Sequence, residues 1–526
     1  MGLQDLEHPL VHLTPPHGWL NDPNGLWYDA KDELWHCYFQ HNPDSTVWKQ
    51  PICWGHSVSK DAIIWDYKGL AIVPPDSDGG VFSGSVVVDN RNTSELFDES
   101  TDPRQRVVAI WTQDADGIQR QMISYSVDGG YSFKDYAHNP VLDINNSNFR
   151  DPKVIWHKET GRWIMVVALS QKFEISIYSS KDLIHWQYES CFAVRGFKGL
   201  QYECPGLIKV PLLDANGQEV KDTKDNWVLY ISINPGAPQG GSTTEYFIGE
   251  FDGKVFQPRD NQVRLMDLGK DFYAFQTFYN TPNDKDVIGM AWASNWQYTN
   301  QTPTSQYRSC LTMLRKLHLQ KLQITPEYSE INLFSAPLWD QDSLVNLAPP
   351  KSLTPDAPLV PNHGLNINLD QSEGLLEFTW EWSVQDKLVP KADFCGITMF
   401  LKDQETSNQF LSLGFEANSS AFFLDRGNTG SHFTETNPLF TRNLSADLTP
   451  YRTFQGTSIY KVHGILDRNI LELYFNDGAL AATYTFFYLE NRPIRWVHME
   501  SSVNDVFKIK ELRFTELAIK SPSKTY

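Results

Sequence analysis

Apolar residues come in short runs along this chain, and most runs alternate with polar positions. Trp163–Leu169, "WIMVVAL", is apolar throughout and too short for a helix of useful length, so it predicts a buried strand. Gly374–Trp382 ("GLLEFTWEW"), Ser419–Asn428 ("SSAFFLDRGN") and Asn469–Gly478 ("NILELYFNDG") alternate, which predicts strands with one face on a core. The last of these ends in Asn-Asp-Gly, a hairpin turn signal. No stretch sustains the period of an amphipathic helix. The pattern predicts an all-β protein.

A repeat runs through the first half. Asp followed four residues later by an aromatic closes three short alternating runs, at Asp61/Trp65, Asp182/Trp186 and Asp252/Phe256; Asp128/Phe133 is one residue longer. Each reads as a strand, a tight turn and a strand opened by an aromatic. The repeats are 67, 54 and 70 residues apart, too irregular for a solenoid but suited to propeller blades with loop insertions. In a propeller the next strand opens a new blade and lines the central channel. Counting on from the repeat aspartates by 21, 23, 21 and 24 residues reaches Phe82, Asp151, Glu203 and Gln276. Asp22 opens the first blade. Five channel strands are thereby implied, three of them presenting an acid near one end.

The texture changes near Leu347. Pro349, Pro350, Pro355, Pro358 and Pro361 crowd into a short span that reads as a stiff connection. The expected organisation is a five-bladed β-propeller over 1–345, a Pro-rich linker over 346–363 and a β-sandwich over 364–526. Within the sandwich, Asp425-Arg426 reads as a structural ion pair.

Composition narrows the function. A net charge of −19 repels a polyphosphate, which argues against nucleic acid. Aromatics make up 13% of residues, which suits stacking on sugar rings. No apolar run is long enough to span a membrane. The six cysteines are scattered without a C-x-x-C pair, so neither a zinc site nor a dense disulfide framework is expected, and most should be buried thiols. The start, "MGLQDLEHPL", lacks the basic and apolar regions of a signal peptide, which favours the cytoplasm. Five N-x-[ST] sequons, at Asn92, Asn145, Asn300, Asn418 and Asn443, point instead to an extracellular protein whose signal peptide was removed.

The stretch Trp19–Asp29, "WLNDPNGLWYD", carries both a turn and a candidate nucleophile. Pro23 drives Asp22 toward an extended conformation and Asn24-Gly25 favours a turn. Cleaving a glycosidic bond takes two carboxyl groups in different protonation states. Asp22, flanked by Asn21 and Asn24, suits the ionised role. Glu203, among Tyr202, Cys204 and Pro205, is expected in a less polar setting that raises its pKa for proton donation. Asp151 follows Arg150, which should keep it ionised, a poor acid but a stabiliser of positive charge.

"WLNDPNG", "YFQHNP" (Tyr38–Pro43), "FSGS" (Phe82–Ser85), "FRDPKV" (Phe149–Val154), "YECPGL" (Tyr202–Leu207) and "ASNWQY" (Ala293–Tyr298) occur in the order seen in glycoside hydrolase family 32. "SINPGAPQGGS" (Ser232–Ser242) and the sandwich strands extend the likeness over nearly the whole chain. The chain resembles this family of invertases, inulinases and fructosyltransferases, with motif spacing nearest its yeast-type invertases. The resemblance implies a five-bladed propeller with a C-terminal sandwich, and retaining hydrolysis of a terminal β-D-fructofuranosyl residue of sucrose or short fructans. It makes Asp22 the nucleophile, Glu203 the acid/base and Asp151 the transition-state stabiliser. Trp19, Leu20, Asn21, Gln40, Trp48, Phe82, Ser83, Arg150 and Trp296 would bind the sugar. Leu20 stands where yeast-type members usually carry Met, a swap of similar size. No metal or cofactor is implied, and association through the sandwich into homodimers or larger assemblies is expected. A fructosyltransferase or exo-inulinase of the same fold stays open. A non-catalytic sugar-binding propeller would have lost Asp22 or Glu203, and both are present.

Overall fold

A computed structural model describes residues 7–520 except 75–78, 222, 225, 325–326, 354–355, 362 and 392. Pro355 of the proline run, the first six residues and residues 521–526 of the expected sandwich therefore lie outside the described residues. Among those described, the one α-helix is His432–Thr436. Five antiparallel sheets form a ring of blades, and two more sheets form a sandwich.

The channel strands of the blades are Gly18–Asp29, Gly80–Val88, Phe149–His157, Tyr202–Lys209 and Tyr273–Thr277. They contain Asp22, Phe82, Asp151, Glu203 and Gln276, as the repeat predicts. The repeat aspartates explain themselves in the turns before the outer strands. Asp61 accepts backbone N–H bonds from Ile63 and Ile64 at 2.9 and 2.8 Å, and Asp182 does the same for Ile184 and His185. Asp128 holds Tyr131 and Ser132, and Asp252 holds Lys254 and Val255. Each carboxylate stands in for the backbone acceptor a tight turn lacks. The ring closes where Gly18 and Trp19 pair in parallel with Tyr307 and Arg308.

The sandwich core stacks Phe378, Trp380 and Trp382 of one sheet against Leu411, Leu413, Phe415 and Phe422 of the other. The proline-rich stretch is not a free-standing linker. Lys351–Ser352 and Ala357–Pro358 pair with the sandwich strand Phe507–Ile519, as does Leu344–Asn346 just before. Short edge pairings of this kind tolerate proline because only alternate N–H groups face the ladder.

Propeller and sandwich meet through buried ion pairs. Arg315 of the fifth blade bonds Asp267 at 2.8 Å and Glu472 of the sandwich at 2.6 Å. Asp425-Arg426 does not form the expected pair. Successive side chains of a strand face opposite ways, and Arg426 reaches into the propeller to bond Asp271 at 2.8 Å while Asp425 caps the Gly427 N–H. His12 bridges Asp467 and Glu472 at 2.9 and 3.0 Å.

Burial opposes the charge on His12, but the two carboxylates outweigh it and push its pKa up to about 9. A histidine raised above its unfolded value of about 6.5 stabilises fully below that pH and ceases to do so as pH climbs through 9. We expect the protein to lose on the order of 3 kcal/mol from this group between pH 6.5 and 9 or slightly above. Thermal unfolding of His12→Gln across that range should lack this slope. An equal slope in the variant would contradict the assignment.

Candidate active site

Every channel strand carries a bulge at the same height. The pairing with the neighbouring strand skips between Leu20 and Pro23, Phe82 and Gly84, Arg150 and Lys153, Glu203 and Gly206, and Tyr273 and Gln276. Asp151, Cys204 and Ala274, each the first skipped residue of its strand, have φ of 67°, 44° and 53°. Bulges re-aim side chains at the rims of β-structures. Asp22 and Asp151 sit within bulges, and Glu203 is the last paired residue before one. The offsets of 21 to 24 counted from the repeats straddle the bulge, so the three acids are not strictly equivalent along their strands. The local backbone turn is what lets them converge.

They line one cavity of about 250 Å³ with Asn21, Gln40, Trp48, Phe82, Ser83, Arg150, Gln201, Asn234 and Trp296. Gln201 and Asn234 were missed by the sequence reading, although both lie in or beside quoted motifs, "YECPGL" and "SINPGAPQGGS". Trp19 and Leu20 are corrected in the other direction. Both are fully buried and neither lines the cavity. Trp19 stacks beneath Trp296 with ring centres 5.7 Å apart, and its indole N–H holds the Asn21 amide oxygen at 2.7 Å. They support the cavity wall from behind, both within one buried apolar cluster.

Asp22 Oδ2 accepts from the Ser83 hydroxyl at 2.7 Å and lies 3.3 Å from the Cys204 thiol. Its Oδ1 is buried and makes no hydrogen bond to any described residue. Burial raises the Asp22 pKa, Ser83 and Asn21 pull it back, and the Glu203 charge raises it further. The two acids are therefore near enough to sense each other. Asp151 Oδ2 accepts from the Cys204 N–H at 2.9 Å.

Arg150 corrects two expectations together. Its guanidinium turns away from Asp151 to the next blade, where Nε and Nη2 bond Glu203 Oε1 at 3.2 and 3.0 Å. Glu203 Oε2 accepts from the Tyr273 hydroxyl. Glu203 therefore sits in a polar, hydrogen-bonded setting, not the apolar one its sequence neighbours imply. Gln201 Oε1 takes a further bond from Arg150 Nη2 at 3.0 Å. Asp151 is left without the guanidinium's hydrogen bonds. Burial, with the Glu203 and Asp22 charges, outweighs the residual pull of Arg150 and pushes its pKa up to about 7.

The sign of that shift is testable. An acid raised above its unfolded value of about 3.9 binds its proton more tightly when folded, so folded stability falls as pH rises from about 4 to 7. Asp151→Asn should flatten this fall and raise the melting temperature at pH 7, the gain being on the order of 4 kcal/mol at most. An unchanged pH slope in differential scanning calorimetry would contradict it.

Polar side chains also join the channel strands of different blades. The Gln276 amide N–H groups bond the carbonyls of Pro23 and Gly84 at 3.1 and 3.0 Å. Lys153 Nζ bonds the Thr277 carbonyl at 2.5 Å. These bonds link four of the five blades.

The comparisons with known proteins agree with this geometry. Residues 12–327 match the glycosyl hydrolases family 32 N-terminal domain, and residues 351–516 match the glycosyl hydrolases family 32 C-terminal domain. Invertase 2 of Saccharomyces cerevisiae is 46% identical over 514 residues, covering 97% of this chain and 95% of that protein. An extracellular exo-inulinase of Meyerozyma guilliermondii is 44% identical over 517 residues, covering 98% and 96%. The structure of a fructofuranosidase from Schwanniomyces occidentalis complexed with fructose superposes with a TM-score of 0.92 at 39% identity, covering 98% of this chain and 99% of that one. A five-bladed propeller with a sandwich behind it, three acids in one pocket, and these likenesses over the full length together place the chain in glycoside hydrolase family 32, as a glycoside hydrolase.

Proposed function

We propose that the protein hydrolyses the terminal β-D-fructofuranosyl residue of sucrose, and of short fructans, with retention of configuration. The observation that carries this reading is Asp22 Oδ1, a buried carboxylate oxygen with no bond of its own in a pocket shared with Glu203. Ser83 and Cys204 hold Oδ2, and Oδ1 is the oxygen left to attack the anomeric carbon.

Glu203 gives a proton to the departing glucose oxygen and then takes one from water as the fructosyl–Asp22 ester is cleaved. Arg150 and Tyr273 keep its carboxyl in place through both steps. Asp151 accepts from fructose hydroxyls. Their donation, and the growing positive charge on the ring, favour its ionised form, which its free-pocket pKa leaves close to balance at neutral pH. Trp48, 37% exposed, and Phe82 offer apolar faces at the pocket mouth.

The test is a sucrose digest with free glucose and free fructose quantified separately. Equal amounts support hydrolysis. Glucose in excess would mean that fructose passes to another sugar and would replace hydrolysis with transfer. The similarity to an exo-inulinase supports short fructans as a second substrate. Fructose released one unit at a time from inulin would bear this out, and oligosaccharide fragments at early times would refute it.

A further inference from the structure

Outside the catalytic trio, Glu245 is a buried acid on the strand Thr243–Phe251 of the fourth blade. It is fully buried and forms no ion pair among the described residues. Its Oε2 accepts the backbone N–H of Phe197 at 2.8 Å, and its Oε1 makes no hydrogen bond to any described residue. The carboxyl fills a cradle under Gly196. That glycine has φ of 71°, and a Cβ there would meet Oε1 at 2.3 Å. The positive φ favours glycine at this point.

Phe197 lies in the loop 194–201, which ends at Gln201 and leads directly into Glu203. The loop's other tethers are fixed groups. Val194 N–H bonds the Phe173 carbonyl at 2.8 Å, and Leu200 N–H bonds the Pro235 carbonyl at 2.9 Å. The Tyr202 hydroxyl bonds the Arg195 carbonyl. Two pocket residues depend on this loop. Gln201 bonds Arg150, the guanidinium that holds Glu203, and Asn234 precedes the Pro235 against which Gly199 packs.

We propose that Glu245 is a positioning residue for catalysis, which through its bond to Phe197 seats the loop 194–201 so that Gln201 and Arg150 hold the acid/base Glu203. This rests on the role of Glu203 given above. Glu245 does so as a neutral acid. Burial pushes its pKa up to about 8, with the Phe197 N–H opposing only in part. The titratable group facing it is the Tyr202 hydroxyl, itself raised by burial and by the Glu245 charge. The nearby cations are engaged elsewhere: Arg195 bonds Asn261, Arg264 bonds Asp260, and Lys198 is exposed on the loop. Above pH 8 the carboxylate would be a buried charge with one hydrogen bond, and opening the loop to water relieves it.

Two variants and two readouts test this. Glu245→Gln keeps an acceptor for Phe197 N–H and cannot ionise, whereas Glu245→Ala removes the acceptor. On sucrose at pH 6, Ala should lower kcat about tenfold with KM within about twofold, and Gln should stay within about twofold of wild type in both. Hydrogen exchange normalised for intrinsic rate should show the Phe197 and Leu200 amides losing protection between pH 7 and 9 in the wild type and keeping it in Glu245→Gln. Exchange does not depend on turnover, so it separates this proposal from the assignment of Glu203. Equal loss of protection in wild type and Gln, or a wild-type kcat in a folded Ala variant, would overturn it. Should Ala fail to fold, the comparison of wild type with Gln decides alone.

Discussion

Asp22→Asn is expected to lower sucrose turnover by about four orders of magnitude or more, the largest effect of any single change in this protein. The amide is nearly the same size, so the Ser83 hydroxyl still has an oxygen to bond and the fold should hold. What goes is the free carboxylate oxygen, for which the pocket has no substitute. Asp151 and Glu203 are occupied by the Cys204 N–H and by Arg150 and Tyr273. Rapid quench and intact mass spectrometry with an activated fructoside should show a fructosyl adduct in the wild type and none in the variant. An adduct in Asp22→Asn would remove Asp22 from the nucleophile's role.

Glu203→Gln should cost about 10²–10⁴-fold on sucrose, whose glucose leaving group needs a proton. With an aryl fructoside, whose phenolate departs unprotonated, formation of the fructosyl-enzyme should be much less impaired. Azide should then restore turnover in Glu203→Ala. It attacks the anomeric carbon of the fructosyl-enzyme without needing a base, expels the Asp22 carboxylate and yields a β-fructosyl azide. Equal losses on both substrates and no azide product would mean that Glu203 acts only by holding Arg150. Glu203 and Arg150 share two hydrogen bonds, so this control is needed.

The bonds that join the channel strands bear on how the site is held. Gln276 and Lys153 bond backbone carbonyls of other blades. Bonds of this kind tie the channel strands together at the level where the bulges loosen their pairing. Removing them would disturb the catalytic strands.

Much of this architecture is legible along the chain, for local reasons. The repeat aspartates are visible because an Asx turn needs a carboxylate at a fixed distance before the N–H groups it caps, as at Asp61 and Asp182. The channel strands follow because blades have similar lengths. Asp22, Asp151 and Glu203 stand out because each lies in a short motif at a strand start. The errors share a different cause. Arg150 beside Asp151, Arg426 beside Asp425, and Glu203 beside Tyr202 and Cys204 are all sequence neighbours, and adjacency along a strand does not make two side chains partners. Their partners came from other blades or the other domain: Glu203 for Arg150, Asp271 for Arg426, Tyr273 for Glu203. Trp19 and Leu20 share a motif with Asn21 and Asp22, and a motif does not say which of its side chains reach the cavity and which pack behind it.

By itself, then, the sequence determined the all-β class, the five blades, the sandwich and which three acids meet in one cavity. Turn chemistry and strand periodicity are set by residues a few positions apart. Only the tertiary structure decided which acid the arginine holds, which acid is left to burial, and that Glu245 lies under the loop leading to Glu203. Those outcomes depend on bulges that re-aim side chains and on contacts between residues tens to hundreds of positions apart. In a buried site with few charges, the electrostatics follow from that convergence and not from adjacency in the chain.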